Sequence, residues 1–382
     1  AALRINHGDE AYKEVAIDNW MGASPVYTRR MQQAMGFDGG SDVATIFKGL
    51  QLECGFTHQY FDVHFEVTAA DRGRFWLNSC GALLETEPRG PDAVKVMCHD
   101  IEDPTFNATA VATNARARMI PVHRPPRVPA EPHCEWTVLI DPAADAVPEP
   151  AMATVLNDTR LATVAIERPQ GLESGGLDDY SGPLFEQLQL EQLSHAALVV
   201  VCGELAVQVH LLITGLMYAV AQRYGDAAAH AVGEFQMTGS SWVMSNRLSE
   251  WLGCGDTGID GIIEVLGIHP AFQPCAYWSI EVTRLDPHRA RFELLDCPAS
   301  DEVLPYGWCT LLKQGMSGGL DGLVKGVDRR ARIVEVEADG PAWEIVIDEG
   351  VAIPQDPLAV QVAKGTVLYQ TKLQDHIQLL QV

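Results

Sequence analysis

The stretch GDEAYKEVAIDNWMGASPVYTRRMQQAMG, residues 8–36, decides the fold because it occurs a second time. Its echo is GDAAAHAVGEFQMTGSSWVMSNRLSEWLG, residues 225–253. Aligned without a gap, Gly8, Asp9, Ala11, Val15, Gly22, Ser24, Val26, Arg30 and Gly36 fall on Gly225, Asp226, Ala228, Val232, Gly239, Ser241, Val243, Arg247 and Gly253. Composition alone gives about two identities in such a window. The register returns downstream. Arg74-Phe75-x-Leu77-x-x-Cys80 matches Arg291-Phe292-x-Leu294-x-x-Cys297, and Ala117-Arg118 matches Ala331-Arg332. Trp136-x-x-x-Ile140-Asp141 then matches Trp343-x-x-x-Ile347-Asp348. The period is too long for a solenoid, so the chain is read as a duplicated domain.

Each copy opens with helical patterning. Helices are expected at Asp9–Trp20 and Asp226–Met237, with Gly-x-Ser opening second helices at Pro25–Met35 and Trp242–Leu252. Gly36 and Gly253 are placed to stop them as the residue just past the helix end. Third helices near Asp42–Gly49 and Asp260–Gly267 begin with an aspartate suited to an N-cap. The hydrophobic period then falls to two. Strands are expected at Tyr60–Val67, Arg74–Cys80, Arg118–His123 and Glu135–Asp141. Their counterparts are Tyr277–Val282, Arg291–Asp296, Arg332–Glu337 and Trp343–Asp348. The expected fold is therefore α+β, with two pseudo-symmetric units, each a helical cluster and a four-stranded, mainly antiparallel sheet.

The domain reading is copy A at 1–141, a linker at 142–187, copy B at 188–348 and a tail at 349–382, with Thr366–Gln374 strand-like. Residues 142–150 are rich in Pro, Ala and Asp, and 151–187 carry no clear pattern. Glu186–Tyr224 is expected to form one or two long helices with no equivalent in copy A. The apolar run Ala196–Ala221 is interrupted by Glu204, Gln208 and His210, which favours a buried core helix over a membrane span.

The 382 residues carry a formal charge of −24, which argues against a nucleic-acid partner and against an anionic membrane. The nine cysteines are an odd count lying mostly in apolar runs. They read as reduced thiols of a cytoplasmic protein. No signal peptide is visible, and the Ala-Ala-Leu start, without a methionine, is compatible with a leader already removed. Monomer and homodimer are both compatible with a duplicated chain.

Chemistry concentrates where the copies differ. Copy A has Cys98-His99-Asp100, then His123-Arg124-Pro125-Pro126-Arg127, then His133-Cys134, all expected on or beside its sheet. Copy B aligns Leu312-Lys313-Gln314 with the first group, Glu337 with His123, and Gly340-Pro341 with His133-Cys134. It keeps the scaffold and loses thiols and imidazoles. A thiol beside an imidazole can become a nucleophile, and a desolvated aspartate can move protons. Cys98 is expected to act as nucleophile or acid, Asp100 as general acid–base and His123 as base, with His99 beside them. Cys134 is a second acid or a wall. Cys54, His58, His64, His133 and Glu204 are candidates to line the substrate pocket. Cys80 and Cys297, present in both copies, read as packing residues.

Zinc held by Cys98, His123, His133 and Cys134 is the alternative. Two features count against it: no Cys-x2-Cys or His-x3-His spacing, and strand alternation that separates His133 from Cys134. No cofactor is the preferred reading. There is no Walker loop, no Gly-x-Gly-x-x-Gly after a strand, no His-Glu-x-x-His and no Gly-x-Ser-x-Gly.

The Gly-Asp-x-Ala helix, the strand ending in Cys80, Cys98-His99-Asp100 and Cys134-Glu135-Trp136 together resemble the 2-amino-thiazoline-4-carboxylate hydrolase-like group. The resemblance covers most of copy A and, in degenerate form, most of copy B. The duplication, the His123-Arg-Pro-Pro-Arg loop and the wide spacing before Cys134 depart from it. It implies a cofactor-free hydrolase or lyase acting on a small molecule. The expected activity is thus hydrolysis, or dehydration of a small alcohol. The competing class is a non-catalytic ligand-binding protein. A catalytic thiol would show itself as a cysteine of low pKa.

Overall fold

A computed structural model describes residues 2–56, 60–172, 175–255, 257–350 and 352–365. In chain order the first elements are α1 (Ala2–Ala34), α2 (Val43–Gln51), β1 (Phe61–Ala69), β2 (Arg72–Cys80), α3 (Gly81–Thr86) and α4 (Pro91–Lys95). A π-helical turn, Val96–Ile101, leads into α5 (Glu102–Thr113), β3 (Ala117–His123) and β4 (Cys134–Ile140). Two short helices, α6 (Ala151–Asn157) and α7 (Arg160–Thr163), precede α8 (His195–Tyr224). The second half runs α9 (Asp226–Leu252), α10 (Ile259–Ile268), β5 (Ile280–Asp286), β6 (Arg289–Leu294) and α11 (Trp308–Lys313). It closes with α12 (Gly318–Val327), β7 (Ala331–Glu335), β8 (Ala342–Ile347) and α13 (Leu358–Lys364).

The duplication holds down to single hydrogen bonds. The sheets are antiparallel, in the orders β1-β2-β4-β3 and β5-β6-β8-β7. Gly36 and Gly253 both adopt positive φ, at 69° and 68°. The amides after them close back on Gln32 O and Ser249 O, each at 3.0 Å. That is the bond pattern of a helix stop that glycine adopts at no steric cost. Ile140 N bonds Asp71 O at 2.8 Å, and Ile347 N bonds His288 O at 2.9 Å. The chain is therefore α+β and consists of two similar units.

Several sequence expectations need correction. The two N-terminal helices of each copy are one continuous helix. Gly22 and Gly239 are there for close approach and do not break it. A Cβ on Gly22 would lie 2.5 Å from Met152 Cγ, and one on Gly239 would lie 2.7 Å from Ala359 O. Asp42 caps α2 as expected, accepting from Thr45 N at 2.9 Å. Asp260 does not cap α10; Gly258 holds that position and Asp260 falls in the first turn. The strand after Tyr277 starts later than expected, because the Tyr277 and Trp278 amides both turn back on Pro274 O.

The long helix begins at His195, where Ser194 Oγ accepts from Ala197 N, and not at Glu186. Copy A does have a trace of it. Ala2–His7 precedes Gly8 (φ 86°) as the end of α8 precedes Gly225 (φ 83°). The strand-like Thr366–Gln374 lies outside the described residues.

Contacts divide the chain into His7–Leu216 and a second unit of Ala1–Asn6 with Met217–Val382. In the first unit, α2 and α5 cover one face of the sheet, and a core of Phe47, Phe56, Phe65, Phe75 and Trp136 fills the space between. Residues 142–216 belong to this unit as well. By length and composition α8 could cross a membrane, yet 56% of its apolar window is buried inside the protein. Its polar residues meet partners there: Gln208 Nε2 donates to Leu52 O at 3.0 Å, and Gln208 Oε1 accepts from Cys54 N at 2.7 Å.

Beside Gln208 sits a buried acid. Tyr27 donates a very short hydrogen bond to Glu53, and Ser24 Oγ lies 2.9 Å from the phenol oxygen. Burial pushes the Glu53 carboxyl up to about 7, against the opposing pull of the Tyr27 bond. A raised carboxyl favours folding in its protonated form. That stabilisation is complete below pH 4.5 and lost as pH rises through about 7. The shift corresponds to about 3 kcal/mol. Glu53→Gln is expected to flatten this decline in urea melts recorded across that range. An unchanged slope would remove Glu53 as its source.

Candidate active site

Three thiols meet under the first sheet. Cys80 ends β2, Cys134 opens β4 opposite Leu77, and Cys98 comes from the π-helical turn; all three join the buried core. The sequence reading set Cys98-His99-Asp100 on the sheet. The structure places them on the turn that enters α5, so helical spacing, and not strand alternation, separates their side chains. Cys98 and Cys134 are brought together as expected. Cys80, read as packing, is buried beside them, where its Sγ accepts from Leu83 N at 3.3 Å and caps α3.

The residue that sequence reasoning missed is Glu102. Its carboxylate would raise the pKa of Cys80, Cys98 and Cys134 alike, which puts it near all three. Burial pushes the Glu102 carboxyl up to about 8; Arg124 pulls it back and Asp103 adds to the rise. It is therefore mostly protonated at neutral pH, as a general acid must be. Arg124 forms an ion pair with Asp103, and its guanidinium lies 5.9 Å from the Trp136 ring. A signal for Glu102 existed in the comparison of copies: the register that sets Cys98 on Leu312 sets Glu102 on Met316.

The thiols themselves are not activated. Burial, reinforced by Glu102, pushes Cys80 up to about 12 and raises Cys98 and Cys134 well above the ordinary thiol value. The indole N–H of Trp136, which has no oxygen or nitrogen partner, favours a Cys134 thiolate but is outweighed by burial. The expected low-pKa cysteine is thus absent from this group. Iodoacetamide at about pH 8 should label the exposed Cys202 and Cys275 first and leave Cys98 and Cys134 unmodified in the native protein. Early labelling of Cys98 in peptide mass spectra would restore the nucleophile reading.

The β3–β4 loop gathers the imidazoles. His99 Nε2 meets Pro125 O at 2.7 Å and His123 Nε2 meets Pro132 O at 2.5 Å. A carbonyl only accepts, so both nitrogens carry hydrogen; His123 Nδ1 faces Glu131 at 3.9 Å. His133 is set the other way round. Its Nδ1 accepts from Cys80 N at 2.9 Å, which leaves the hydrogen on Nε2. Burial and Arg127 lower its pKa, against the pull of Glu87. Arg127 is held by Glu87 through Nε and Nη2, at 2.6 and 2.5 Å. Its Nη1 lies 3.3 Å from His133 Nε2.

The remaining candidates lie elsewhere. Asp100 accepts from Lys95 at 2.7 and 2.9 Å, an exposed pair on neighbouring turns. His64 stacks on Trp76 at 5.3 Å and meets Glu186 at 2.9 Å, beside Asn78 and Gln187. Cys54 sits beside Glu53, its thiol raised by burial. Glu204 is held by Arg30 through two hydrogen bonds of 2.9 and 2.7 Å. His58 lies outside the described residues. Among the described residues no group of three or more His, Cys, Asp or Glu side chains is placed to hold a metal ion. The four-residue zinc set is accordingly not assembled.

Comparison with protein-family models, curated proteins and solved structures finds no match.

Proposed function

We propose that the first unit is a cofactor-independent lyase or hydrolase of small molecules that works by general acid–base catalysis. The observation that carries this reading is the placement of Glu102, a half-buried carboxyl at the start of α5, beside the buried thiols Cys80, Cys98 and Cys134 and Arg124, where the second copy has a methionine. A group of that kind can protonate a leaving oxygen or nitrogen at neutral pH. His123 or His99, each steered by a backbone carbonyl, supplies the base at Nδ1. Arg127 Nη1 and His133 Nε2–H hold an oxygen of the substrate. Cys98 and Cys134 serve as an uncharged wall that keeps water away and the Glu102 proton on. Elimination, such as dehydration, fits better than a thioester route, because a covalent mechanism requires a thiolate that burial opposes. The reading agrees with what the resemblance to the 2-amino-thiazoline-4-carboxylate hydrolase-like group implies, and we include kinship with that group in the proposal.

The test is an untargeted one. Purified protein is incubated with a small-molecule metabolite extract, without added cofactor, and the mixture is read by mass spectrometry. At least one compound should be consumed by the wild type and spared by Glu102→Gln. No change in any compound, or equal consumption by the variant, would refute the proposal.

A further inference from the structure

The long helix α8 leaves one face uncovered. From its start at His195, Leu198, Cys202, Leu205, Val209, Leu212 and Leu216 follow at alternating spacings of three and four, with Val199 beside them. Val199, Cys202 and Val209 are exposed, the two valines by 44% and 45%, and the four leucines are half-buried. The stripe lies wholly within the first unit. Between residues 195 and 216 the sole charged residue is Glu204, which is turned inward onto Arg30. A helix face that meets water carries polar and charged side chains, whereas a helix apolar all round is one that is covered all round.

A bilayer and another helix are the two covers such a face can take. The bilayer fits poorly. Helices that lie in a membrane surface carry Lys or Arg on the polar side and Trp or Phe on the lipid side, and residues 195–216 hold none of these four types. The chain's charge of −24 is repelled by an anionic membrane. The bonds of Glu204 to Arg30 and of Gln208 to Leu52 and Cys54 keep α8 inside the protein. A helix fits well. Alternation of three and four is the seam along which two helices interlock at a 3.5-residue repeat. A foreign partner is selected by charges flanking such a seam, and residues 195–216 place none beside it. The face therefore complements itself, and a two-fold axis brings one patch of two identical chains together.

We propose that the uncovered face of α8 packs on the same face of a second copy of this chain, giving a two-fold dimer. The inference does not depend on the proposed function. Each stripe is about 32 Å long and about 11 Å wide, so two of them cover about 700 Å² in outline and more in accessible surface. That is near the lower bound of about 1,000 Å² for a specific interface, so the dimer forms and parts with concentration. Each copy brings a charge of −24, and salt that screens this repulsion tightens the dimer, whereas an interface held by ion pairs would loosen.

Sedimentation equilibrium of the full chain tests this. Over about a hundredfold range of concentration the wild type should pass from monomer to dimer, and earlier in high salt than in low. Val209→Glu sets two carboxylates against each other in a dry seam and should weaken the dimer by at least about a hundredfold. Val199→Glu should weaken it too, and keeps the test open if Val209→Glu fails to fold, which a thermal melt would reveal. Val303→Glu, at a valine 66% exposed in the second unit, should leave the dimer intact. Labelling of Cys202 by iodoacetamide should slow as the chain concentration rises, while that of the exposed Cys275 should not. A chain monomeric throughout the range overturns the inference, as does a dimer that survives both α8 variants, loosens with salt or leaves Cys202 labelling unchanged. Flotation with phosphatidylcholine vesicles checks the other cover: binding to them that Val209→Glu abolishes would assign the face to lipid and overturn the dimer.

Discussion

Replacing Glu102 with glutamine should lower turnover by at least about a hundredfold, the smaller end of what a positioned general acid contributes. Glutamine keeps the shape of the side chain and cannot give up a proton. The acid must be protonated to act, and its carboxyl is raised to about 8 by burial. Activity of the wild type should therefore hold below that pH and fall as pH rises through it. The residual activity of Glu102→Gln should lack this basic limb. Infrared difference spectra give a readout independent of turnover: beside the Glu53 band lost near pH 7, the wild type should show a second protonated-carboxyl band that disappears near pH 8 and is missing from the variant. Retention of the basic limb in Glu102→Gln would assign it to another group and dissolve the central argument for the site.

Much of the architecture was legible because it was written twice. The Arg-Phe-x-Leu-x-x-Cys and Trp-x-x-x-Ile-Asp strands needed a buried face in each copy, and Gly36 and Gly253 stop both helices with the same backbone turn. The misreadings share a cause: a residue's local meaning gave way to a tertiary partner. Gly22 looked like a helix break, yet it admits Met152. Cys98-His99-Asp100 looked like strand residues because the sheet was the nearest regular element, whereas the chain coils through a π-helical turn before α5. Glu102 stood beside Asp103-Pro104, a pair that reads as a turn, and nothing local marks its burial. The thiols and imidazoles were visible as types. Their protonation was not, since it depends on burial and on the carbonyls of the β3–β4 loop.

The largest stability effect is expected at Arg30. It lies in the repeated stretch and matches Arg247, but its partner comes from the long helix. Its guanidinium is almost wholly buried and donates to both carboxylate oxygens of Glu204, at 2.9 and 2.7 Å. The remaining nitrogen, Nη1, donates to Ala162 O and Val164 O, each at 2.9 Å. One side chain thus ties α1 to α8 and to the end of α7, and a candidate pocket residue, Glu204, becomes a structural one. Arg30→Met leaves a carboxylate stranded in a dry interior and should cost about 3–5 kcal/mol in urea denaturation. Arg30→Met with Glu204→Leu removes the stranded charge and should regain part of that loss. Recovery stops short of complete because the carbonyls of Ala162 and Val164 still lack their donor, at about 1–3 kcal/mol for each buried group left unsatisfied. A single variant within about 1 kcal/mol of wild type would show that water reaches Glu204. A double variant no better than the single would mean that the carbonyl clamp, and not the ion pair, holds these helices together.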